Sequence, residues 1–63
     1  MTQKELLYLE DAYKHEDNII CILNNMIDLL EGEDLVSFFE SEIKKHKSTK
    51  NKLISLMGGD YCE

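Results

Sequence analysis

Apolar side chains recur along this chain in alternating steps of three and four residues. Leu6, Leu9, Tyr13, Ile20, Leu23, Ile27 and Leu30 mark one such series, with Glu16 at its fourth position. Val36, Phe39, Ile43, Leu53 and Met57 mark a second, in which His46 and Lys50 hold the intervening positions. A mean step of 3.5 residues is the period of helices that pack knobs into holes at a shallow crossing angle. There is no proline in the 63 residues, and the three glycines, Gly32, Gly58 and Gly59, divide the chain into two uninterrupted stretches and a short end. The pattern predicts an all-α fold: a helix over about 3–31, a turn at about 32–33, a helix over about 34–57, and a C-terminal tail over 58–63.

Local signals place the ends. Thr2 followed by Glu5 fits a capping box that starts the first helix. Gly32 suits the left-handed position that closes a helix, and Glu33 or Asp34 puts negative charge at the start of the next. Gly58-Gly59 stops the second helix. A tight turn between two long helices makes an antiparallel hairpin. Folding about Gly32-Glu33 sets Leu30 opposite Val36, Ile27 opposite Phe39 and Leu23 opposite Ile43. Farther out it sets Ile20 opposite His46, Glu16 opposite Lys50, Tyr13 opposite Leu53 and Leu9 opposite Met57. Glu16, His46 and Lys50 thus form one polar layer in an apolar seam, read as a Glu16–Lys50 ion pair linked to His46.

A second apolar set has no place in that seam. Leu7, Ala12, Ile19, Ile22, Met26 and Leu29 on the first helix, with Phe38 and Ile54 on the second, predict a self-association surface. A chain this short buries only about 60% of its unfolded surface and needs a staple or a partner. Dimerisation about a two-fold axis into a four-helix bundle meets that need, with a heterologous protein partner as the other solution.

Charge narrows the function classes. Thirteen acidic residues against seven basic ones give a net charge of −6, which argues against binding a nucleic-acid backbone. No apolar run reaches the ~20 residues of a membrane span, and the N-terminus lacks a signal-peptide layout. Two cysteines are too few for a disulfide framework, so the expected setting is the cytoplasm with reduced thiols. Cys21 is expected as a small buried apolar residue, and Cys62 belongs to the tail. No nucleophile elbow, phosphate loop or catalytic triad is present, so no enzymatic activity and no cofactor are expected. Asp11 with His15, and Glu42 with His46, lie one helical turn apart but lack a third ligand.

"LEDAYKHEDNII" and "FFESEIKKHKSTKNKLISLM" resemble the two helices of a ferritin-like half-bundle. Over residues 5–57 the chain is similar to the small spore coat F-domain proteins of endospore-forming bacteria. The resemblance implies a structural, spore-associated helical protein that forms a bundle. It also implies a metal alternative: Glu16 matches the first-helix carboxylate and His46 the motif histidine. The glutamate of that motif, three residues before the histidine, is Ile43 here, and Lys50 lies one turn beyond His46. A third alternative is a regulatory hairpin that docks on a signalling protein.

Overall fold

The structure, a computed structural model, describes residues 1–58. The expected tail lies outside the described residues apart from Gly58. Two helices, α1 (Gln3–Ile27) and α2 (Glu33–Leu56), pack against each other as an antiparallel hairpin.

The Thr2 capping box forms in full. The Thr2 hydroxyl accepts from the Glu5 backbone N–H at 3.0 Å, and the Glu5 carboxylate accepts from the Thr2 N–H at 2.8 Å. Two of the four orphan donors of the first turn are satisfied in this way.

The turn differs from the sequence expectation. α1 ends at Ile27, four residues early, with Asp28 as its C-cap. Asp28 and Glu31 would sit at the negative end of the helix dipole, where no lysine or arginine offsets them, so a further turn of helix gains little. The chain leaves through short bonds from the Leu29 and Leu30 N–H groups to the Met26 and Ile27 carbonyls. Gly32 is not a left-handed C-terminal residue. At φ −87° and ψ 132° it is the N-cap of α2, where extended backbone is the rule. Gly58, at φ 107°, takes the left-handed conformation that ends a helix.

Every seam position read from the sequence is buried or half-buried. Ile20 and Ile43 form the core, 8% and 7% exposed, and no described side chain is wholly buried. The seam residues therefore meet along one line only, as two cylinders must.

Candidate functional site: a polar layer and an open apolar face

The polar layer exists, but with other partners than the sequence assigns. His46 Nδ1 lies 2.5 Å from Glu16 Oε1. A carboxylate can only accept, so the imidazole donates from Nδ1. This contact sits in the helix interface, with the Glu16 side chain 17% exposed and that of His46 28%. Lys50 does not pair with Glu16. Its ammonium donates to Asp17 Oδ1 at 2.7 Å and stands 5.1 Å from the centre of the Tyr13 ring.

The early turn explains the change. Shortening α1 shifts α2 along the seam relative to the expected register. His46 then meets Glu16 where Lys50 was expected, and Lys50 moves outward to Tyr13 and Asp17. The hydrogen bond to Asp17 raises the Lys50 pKa above 10.5, opposed by burial and reinforced by the Tyr13 phenol. Asp17, which lies off the heptad seam, is 60% exposed but engaged. Glu42 pairs with Lys45 at 3.1 Å on its own helix and does not turn to His46.

Two seam carboxylate and imidazole groups do not make the donor set of a di-iron site. Glu16 already engages Nδ1 of His46, Ile43 stands where the motif has a glutamate, and Lys50 brings a cation one turn away. Among the described residues no three His, Cys, Asp or Glu side chains converge as a metal set would. What the layer can do is fix orientation and register, since a slide along the seam breaks both contacts. Cys21, expected to be buried, is a free, exposed thiol.

The larger feature is an apolar face. Tyr8 and Met26 are eighteen residues apart, which is five full turns, so they point the same way from α1. Phe38 and Leu56 have the same spacing on α2. Tyr8 and Leu56 line one hollow at the open end of the hairpin, with Met1, Glu5 and Leu9. All four side chains therefore share one face, and all four are exposed. Ala12, Ile19 and Ile22 continue the α1 stripe at heptad spacing, and Leu35 extends the α2 stripe at the turn end.

Not every residue of the expected association surface belongs there. Leu7 precedes Tyr8 by 100° of helix rotation and points away from the face. Ile54 is 200° from Leu56, on the opposite flank, and half-buried. Leu29 is exposed in the turn. Ala12, Ile19, Ile22, Met26 and Phe38 remain as a coherent set. Leu35 and Leu56, which the apolar pattern also places outside the seam, belong to the face. Tyr8 was missed because it adjoins the seam residue Leu9 and reads as part of the same apolar cluster; its eighteen-residue relation to Met26 was the available signal.

None of the described helices is long and apolar enough to cross a membrane. Comparison with family models, with curated proteins and with solved structures finds no match to this chain.

Proposed function

We propose that this chain is a non-enzymatic helical assembly module that completes its hydrophobic core by pairing with a second copy as a four-helix bundle. One observation carries the reading. Only Ile20 and Ile43 are buried, while nine large apolar side chains among the described residues stay exposed. Fully burying a side chain of this kind is worth about 1.5–3 kcal/mol. Sharing a face that holds several of them is comparable with the whole stability of an ordinary domain of this size, about 3–9 kcal/mol. The hairpin alone has half a core; two hairpins have a whole one. The setting we attach to this module, a structural component of a spore-forming bacterium, is the one implied by the resemblance of its helical pattern to small spore coat proteins.

The test is mass by light scattering across a concentration series, with thermal melting on the same samples. A dimer whose melting temperature rises with protein concentration is the expected result. Ile22→Asp and Phe38→Asp should each shift the protein toward monomer and lower that temperature. A wild-type monomer at high concentration refutes self-association and moves the face to a heterologous helical partner.

A further inference from the structure

We infer that the open face receives the second copy antiparallel, turn end over open end, about a two-fold axis crossing the face at the Glu16–His46 layer. This rests on the self-association reading and adds its geometry.

The first argument is spacing. Asp17 lies midway between Tyr8 and Met26, and Lys47 midway between Phe38 and Leu56. These two midpoints stand at one level of the hairpin, because Glu16 contacts His46 and Asp17 contacts Lys50. One axis therefore serves both stripes at once. It sets Tyr8 against the partner's Met26 and Phe38 against the partner's Leu56, and sets Ala12 against the partner's Ile22.

Shape agrees. The open end has an apolar hollow of about 400 Å³ lined by Tyr8 and Leu56. The turn end projects Met26 and Phe38, both exposed. An antiparallel partner brings these two side chains to that hollow, once at each end of the dimer. The hairpin measures 45 × 17 Å along its two longer axes, a face on the scale of the ~800 Å² per partner that stable interfaces bury.

Charge decides between the two-fold alternatives. Along α2 the acidic residues Glu33, Asp34, Glu40 and Glu42 precede the five lysines, Lys44 to Lys52. In the antiparallel pair α2 lies along the partner's α2 in the reverse direction, in the register that sets Phe38 on the partner's Leu56, and Glu42 comes near the partner's Lys52. A parallel pair, with both turns at one end, lays α2 on the partner's α1. Lys45 would then face the partner's Ile19, and Glu42 the partner's Ile22, which desolvates the Glu42–Lys45 pair against isoleucine with no partner charge to offset it.

Charge reversal of the full-length chain tests this. Glu42→Lys and Lys52→Glu should each keep their helix content by circular dichroism and each dimerise roughly tenfold more weakly than wild type at low salt, from two repulsive contacts per dimer. Mixing the two variants, one isotope-labelled, should restore the dimer as a mixed species in native mass spectrometry, since every contact is then attractive. With Cys21 and Cys62 replaced by serine, Ala12→Cys chains should form mixed disulfides with Ile22→Cys chains. A wild-type dimer with neither recovery on mixing nor the mixed disulfide overturns the antiparallel geometry and leaves assembly standing. A wild-type monomer overturns both.

Discussion

Replacing Lys50 by Met separates the observed polar layer from the one the heptad pattern implies. If Lys50 were the counter-ion of Glu16, which is 17% exposed, removing it would strand a largely buried carboxylate and cost about 3–5 kcal/mol. In the structure the partner is Asp17, whose side chain is 60% exposed and stays hydrated after the change. An exposed pair of this type contributes about 0.2–1 kcal/mol, and the ammonium near the Tyr13 ring adds about 0.5–1 kcal/mol. Met keeps the apolar stem that packs on Tyr13, so the expected loss is about 1 kcal/mol. At fixed protein concentration that is a drop of about 4–8 °C in the melting temperature. The pH profile adds a second reading. The Lys50 pKa is raised in the folded protein, so its contribution is fully present below the unfolded value near 10.5 and is lost as pH rises through the higher folded value. Thermal melts of wild type and Lys50→Met should differ by a constant amount from neutral pH to about 9 and converge at higher alkalinity. A loss of 3 kcal/mol or more, or a gap that widens above the lysine range, refutes the Asp17 assignment.

Three further outcomes follow from the same geometry. Glu16→Leu and His46→Leu should each destabilise, because each leaves a half-buried polar group without its partner, while the double variant should recover most of the loss. Denaturant melts should give a coupling energy between the two sites of about 1 kcal/mol. Gly58→Ala should cost about 1 kcal/mol because its φ is 107°, whereas Gly32→Ser should be neutral or stabilising in urea melts. Gly32 has an ordinary φ and open space where a Cβ would go, and serine caps a helix better than glycine. Added zinc should leave the melting temperature of wild type and His46→Ala equally unchanged, since Glu16 and His46 alone make an incomplete ligand set.

Helix existence, seam membership and the capping box were legible because each depends on local spacing. Leu6 through Leu30 and Val36 through Met57 keep their faces whatever the exact turn. The partners across the seam depend on where the turn falls, and that was decided by a balance too fine for pattern. Gly32 is acceptable both as a left-handed helix end and as an N-cap, and the dipole-opposed Asp28 tips the choice toward an earlier stop. Four residues of turn position then reassigned the polar layer: Glu16 exchanged Lys50 for His46, and Asp17, still exposed, became the partner of Lys50. Cys21 shows the same limit from the other side. It adjoins the seam residue Ile20, but a two-helix seam is too narrow to cover it.

The polar layer also bears on assembly through the offset it imposes. A seam made only of Ile and Leu could slide by a heptad step and still place knobs in holes. Such a slide would keep the hairpin but move the midpoint of the Phe38–Leu56 stripe about 10 Å along α1. In the proposed dimer no single axis would then match both stripes: Tyr8 could meet the partner's Met26, but Phe38 would miss the partner's Leu56 and the hollow beside it. The Glu16–His46 and Asp17–Lys50 contacts oppose that slide, each by a modest amount, within one hairpin. Their value is therefore greater for the pair of hairpins than for either alone. Removing both contacts with Leu at Glu16 and His46 and Met at Lys50 should raise hairpin helicity or leave it unchanged while weakening dimerisation. Measured together by circular dichroism and sedimentation equilibrium, a parallel fall in both quantities would show that the layer acts through stability alone.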